Sequence, residues 1–133
     1  MKLNFLSAAL TAAVILSACS KTEHNNVNNN NGIKTIKYEF TTTDTGSYGV
    51  LALADTAVIF ADNVNSLSWS KTITVAGSDS AYLTVFPPPE WANTSRQADV
   101  NVKIFVNDVE KANGSAHFFG LDRPNGVKIS TAY

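Results

Sequence analysis

The sequence predicts an all-β fold: a single antiparallel β-sandwich, immunoglobulin-like in type, with about seven to nine short strands over residues 33–133. Three observations carry that expectation. Apolar residues recur at every second position, which puts them on one face of a strand. Asn, Asp, Gly and Pro break the pattern about every 8–12 residues, as the turns of a sandwich require. No stretch of this body has the 3.6-residue period of an amphipathic helix. An up-and-down barrel is the alternative that the same pattern allows.

Taken in order, Ile36, Tyr38 and Phe40 alternate with Lys37 and Glu39 to give a first strand. Short strands follow at Val50 to Leu53 and at Ala57 to Ala61. Leu67, Trp69, Ile73 and Val75 then share a face, with Lys71 as the break in it and Trp69 as a core residue. Leu83 and Val85 alternate with Tyr82, Thr84 and Phe86, and Val100, Val102, Ile104 and Val106 alternate with Asp99, Asn101 and Lys103. Asn107-Asp108 is a tight hairpin signal leading to a strand at Val109 to Ala112, and Asn113-Gly114 signals another turn before His117 to Phe119. Val127 to Thr131 closes the set. Pro87-Pro88-Pro89 has no N–H to donate to a ladder, so it is a stiff connection between strands.

Ahead of this body, residues 1–18 have the three parts of an export signal. Lys2 is the basic start, Phe5 to Leu16 form an apolar run, and Ser17 and Ala18 are the small residues before a cleavage point. The run is well short of the roughly 20 residues that span a bilayer core, so a cleaved leader is expected rather than a permanent helix. The ending Leu16-Ser17-Ala18-Cys19 resembles the lipobox of bacterial lipoproteins. That resemblance implies cleavage between Ala18 and Cys19 and attachment of fatty acyl chains, such as palmitate, to Cys19. Each buried methylene contributes about 0.8 kcal/mol, so two or three chains together would hold the protein to a membrane. Cys19 is the single cysteine of the chain, and no disulfide can staple the body. Ser20 stands where Asp would favour inner-membrane retention in lipoprotein sorting, so the resemblance implies the outer membrane.

Residues 19–32 read as the lipidated cysteine and a flexible tether. Six of the seven residues from Asn25 to Asn31 are Asn, too polar to bury enough surface to offset ordering entropy. A coil of this length spans about 20 Å on average. Loss of the leader removes Lys2, one of 10 basic residues set against 11 acidic ones, and leaves a mature net charge of −2. Nothing in that near-neutral balance suggests a nucleic-acid partner.

The order Ile36-Lys37-Tyr38-Glu39-Phe40, Ala57-Val58-Ile59-Phe60, Leu67-Ser68-Trp69-Ser70-Lys71-Thr72 and Val102-Lys103-Ile104-Phe105-Val106-Asn107-Asp108 resembles the MmpS-like family. These are small membrane-tethered β-sandwich proteins, some of them accessories to lipid or siderophore exporters. The resemblance implies the sandwich. Members linked to transport usually carry a transmembrane helix and often a domain disulfide, which this chain replaces with a lipobox and a lone cysteine.

No catalytic set is legible. A Ser or Cys nucleophile needs a base beside it, and the two His residues are His24 in the tether and His117, expected at a sheet surface. No spacing fits zinc, and Asp62-Asn63-Val64-Asn65 and Asp122 to Gly126 read as Asx-rich turns rather than calcium loops. No metal or cofactor is therefore expected. Trp91, flanked by Glu90 and Asn93 after the prolines, is the candidate binding residue: an aromatic plane on a stiff loop can stack on a sugar ring or dock a partner. The competing expectation is that Trp91 folds back over the end of the sandwich. Asp55-Thr56 and Asp79-Ser80 resemble O-glycosylation acceptor patterns, which makes Thr56 and Ser80 candidate modification sites. The functional expectation is a non-enzymatic binding or accessory lipoprotein of the cell envelope, anchored in the membrane through Cys19 and facing an envelope protein or glycan. An exporter accessory and a structural or adhesive surface subunit are the alternatives.

Overall fold

The computed structural model describes residues 32–121 and 125–133. Over them the chain forms eight strands: β1 Lys34–Thr42, β2 Tyr48–Ala54, β3 Ala57–Val64, β4 Ser68–Val75, β5 Ser80–Phe86, β6 Gln97–Val106, β7 Val109–Phe119 and β8 Val127–Ala132. A 3-10 turn at Pro89–Trp91 lies between β5 and β6. The strands make two antiparallel four-stranded sheets, β4-β1-β6-β7 and β3-β2-β5-β8, packed face to face. β6 lies beside β1 in the first sheet although four strands intervene in sequence. Among the described residues, no helix is long and apolar enough to cross a membrane.

Period-two patterning explains the packing. Ile36, Tyr38 and Phe40 of β1 and Val100, Val102 and Ile104 of β6 face Val50 and Ala52 of β2 and Leu83 and Val85 of β5. Each such Val, Leu or Ile contributes about 1.5–3 kcal/mol when fully buried. The Tyr38 hydroxyl crosses between the sheets and donates to the Leu53 carbonyl at 2.6 Å, and burial raises its pKa well above the ordinary phenol value. The Asn107-Asp108 turn forms as expected, both residues taking the positive φ of a two-residue hairpin.

Four local expectations need correction. Asn113-Gly114 is no turn: β7 runs unbroken from Val109 to Phe119, because Gly114 lets the strand lie close over Ile129 and Val102. Asp62, Asn63 and Val64 belong to β3. Leu67 lies in the loop before β4 and is 51% exposed. Trp69 is half-buried at the side of the sandwich, covered by Phe60 at 5.0 Å and Phe40 at 6.2 Å between ring centres. The leader, Ala18, Cys19, His24 and the Asn-rich stretch lie outside the described residues, as does part of the Asp122 to Gly126 turn.

The strand directions give the sandwich two unlike ends. One end carries Ile33 and Lys34, where the chain enters β1, together with the β2–β3 turn, the 76–79 loop, the Asn107-Asp108 turn and Tyr133. We call it the proximal end. The other, distal end carries the loops 43–47, 65–67 and 87–96, together with residues 120–121 and 125–126. The nine residues of β1 separate the two by about 30 Å at the usual rise per residue.

Candidate functional site at the distal end

Because Phe86 ends β5 and Pro87 cannot extend the ladder, the chain leaves the second sheet abruptly and crosses to the first through Pro87 to Arg96. The crossing walls a cleft of about 450 Å³. Phe86 and the three prolines form one side, and Trp91, Phe119, Gly120 and Asn125 complete it. The Phe86 ring is 43% exposed at the rim. Among the described residues, no charged side chain lines the cleft, whose polar groups include the Asn125 amide and backbone atoms. Apolar walls with a few placed polar groups are the usual make-up of a small-ligand site.

Trp91 is in this cleft but is no free platform. It is 1% exposed, seated edge-on against Tyr48 at 5.7 Å, with the Arg96 guanidinium 4.8 Å above its ring. Its Nε1–H finds no acceptor among the described residues, because it abuts the backbone of Gly46. The expectation of an exposed stacking plane is thus corrected: the ring folds back over the end of the core, where more apolar surface leaves water. Glu90 is committed too, its carboxylate accepting from the Ser47 N–H at 2.6 Å. Asn93 takes a positive φ of 63° and donates its N–H to the Gly120 carbonyl, leaving its side chain exposed. Of the three, Trp91 alone lines the cleft.

Arg96 ties the end together. It grips Asp44 through Nε at 3.1 Å and Nη2 at 2.8 Å and donates to the Thr45 carbonyl at 2.7 Å. That hydrogen bond holds the Asp44 carboxyl below its ordinary range. Phe86, Phe119, Asn125 and Arg96 were not singled out by sequence. Phe86 had a usable signal, an outward-facing aromatic directly before a proline run. The Asp44–Arg96 pair had none, since its partners are distant in the chain.

From Phe86 the uncharged surface continues over the outer face of the second sheet. Register places Val58, Leu53 and Tyr82 in one row, Ala61, Leu51, Thr84 and Lys128 in the next, and Asn63, Gly49 and Phe86 in a third. Lys128 is the single charge among these positions. The outer face of the first sheet is the opposite, laced by Lys37–Glu39, Lys103–Glu110 and His117–Asp99 pairs at 2.8–2.9 Å. His117 lies at the sheet surface as expected, bonded to Asp99.

The two acceptor-like motifs meet at the proximal end. Asp55, at a φ of 51°, takes hydrogen bonds on one oxygen from the N–H groups of Asp79 and Ser80 and from the Ser80 hydroxyl, at 2.9–3.0 Å. Ser80 is therefore half-buried and engaged, whereas Thr56 is exposed at the tip of the β2–β3 turn. Among the described residues, no three His, Cys, Asp or Glu side chains converge as a metal site would need.

The fold and this end define an antiparallel β-sandwich with a cleft whose described lining is uncharged and partly aromatic, opposite the point where the chain enters β1. Comparison with protein-family models, curated proteins and solved structures finds no match.

Proposed function

We propose that the protein is a non-enzymatic binding or accessory lipoprotein of the bacterial envelope, held in the outer membrane through acyl chains on Cys19. In this reading the cleft at the distal end takes a neutral ligand, either a sugar ring of an envelope glycan or an apolar loop of an envelope protein. The observation that carries it is the opposition of the two ends. The chain from the anchor joins at Lys34, and the apolar cleft opens a strand's length away, past Phe86 and Phe119.

The described lining supports a neutral ligand, because an ion brought there would lose water without meeting an opposite charge among the described residues. Aromatic walls and one amide suit stacking with a directed hydrogen bond. The test is capture by the full lipidated chain in detergent, on a neutral-glycan array and from solubilised envelopes, with Phe86→Asp as the comparison. Capture that is lost in Phe86→Asp supports the cleft. No capture on either platform, or capture unchanged by Phe86→Asp, contradicts it.

A further inference from the structure

The chain enters the domain through an inner strand, not an edge. β1 is paired along Lys34 to Thr41 with β4 on one side and along Ile36 to Thr42 with β6 on the other. Its first residue is also fastened to the second sheet. Lys34 Nζ donates to the carbonyls of Ser78 and Tyr133, both at 3.2 Å, and sits 4.8 Å over the Tyr133 ring. Tyr133 is in turn bonded through its hydroxyl to Ser78 at 2.6 Å and to the Ser80 carbonyl. At the far end of the strand, the Thr42 hydroxyl meets the Tyr48 hydroxyl at 2.7 Å.

We infer that the sandwich is a load-bearing link, built to transmit tension between a membrane anchor and whatever its distal cleft holds. Tension entering at Ile33 and leaving at the distal loops runs parallel to β1. To yield, β1 must slide past β4 and β6 together, so the ladder bonds on both sides share the load and fail at once. Entry through an edge strand, or a pull on two strand ends at the same end of the sandwich, would open the bonds one pair at a time. The Lys34 clasp passes part of the load into the second sheet before β1 moves. This inference rests on the anchored-binder reading for the direction of pull.

Single-molecule pulling on the full mature chain, in a Cys19→Ala background, tests it with thiol handles. Gly32→Cys with Ser95→Cys loads β1 against β6 along the strands. Gly32→Cys with Ala76→Cys pulls apart two neighbouring strand ends. Forced unfolding reports the barrier along the pulled direction, so the first pair is expected to need about two- to threefold more force at equal loading rate. Equal or lower force overturns the inference. Should the Ser95→Cys variant fail to fold, Asn65→Cys supplies the same direction of pull against β4. The measurement involves neither lipid nor ligand. A weak shear response therefore removes the load path alone, and a failed ligand capture removes the binding reading alone.

Discussion

At Gly46 a single hydrogen in place of a side chain decides how the distal end closes. A Cβ there would lie 2.5 Å from Pro88 Cγ and 2.9 Å from Trp91 Nε1, so the proline run and the indole pack directly on backbone. Gly46→Ala is expected to cost about 1–3 kcal/mol by overpacking, read from urea unfolding. A neutral result would mean that Pro88 and Trp91 are free to shift. Truncation of the indole itself, Trp91→Ala, is expected to cost about 3–5 kcal/mol, as for other buried aromatics. Thr56 and Ser80 are separated by the same kind of detail. Glycopeptide mass spectrometry is expected to place any O-linked sugar on Thr56 and none on Ser80, whose hydroxyl is bonded to Asp55. A hexose on Ser80 would contradict this. The sequence already offered both fates for Trp91, but it could not choose between them, because the choice depends on Gly46 and Tyr48, which are remote in the chain, as well as on nearby Arg96.

The strands show where sequence periodicity suffices and where it stops. β1, β5 and β6 were legible because one apolar face alternates with polar residues or with Tyr82, Thr84 and Phe86. β7 was legible only at its two ends, Val109 to Ala112 and His117 to Phe119, because Asn113-Gly114 has the composition of a turn and only the approach of Ile129 shows why glycine is there. A Cβ at Gly114 would lie 2.7 Å from Ile129 Cγ2, so Gly114→Ala is expected to destabilise by about 1–3 kcal/mol. The outer face of the second sheet, with Lys128 as the single charge in its described rows, also went unread. Its signal was present, in that β2 is apolar at both parities, with Leu51 and Leu53 outward and Val50 and Ala52 inward. The edge strands carry their own protection. Lys71 of β4 stands opposite Tyr38, and Asp62 of β3 stands opposite Val50, so these two of the four edge strands bear a charge on the core-facing side. Charges in such places discourage pairing between molecules. A Lys71→Val, Asp62→Val double variant is expected to form oligomers on native gels where the parent chain does not. A double variant that migrates like the parent would show that these charges are not what protects the edges.

The molecule as a whole is polarised twice, across its sheets and along its strands. Among the described residues, most of its charges lie on the first sheet and in the loops, Asp62 and Lys128 being on the second sheet, and hydrogen bonds hold several carboxyls below their ordinary range. For Asp44 the main cause is the Arg96 side chain, for Asp55 the Asp79 N–H, and for Glu110 the Lys103 side chain. A carboxyl with a folded pKa below its unfolded value contributes stability above the unfolded value and loses it as pH falls through the folded one. Stability is therefore expected to hold above about pH 5 and to decline below about pH 4, where unfolded carboxylates take up protons. Asp55→Asn should flatten that decline in urea titrations at several pH values, and an unchanged slope would contradict the role given to Asp55. Along the strands, the chain enters at one end and the cleft opens at the other, an arrangement that suits the proposed anchored binder. The most direct measurement is the intact mass of the mature protein extracted from membranes, beside a Cys19→Ala variant. The account predicts a chain beginning at Cys19 with the added mass of two or three acyl chains, and a variant that leaves the membrane fraction. An unacylated chain, or a Cys19→Ala variant that stays with the membrane, would contradict it.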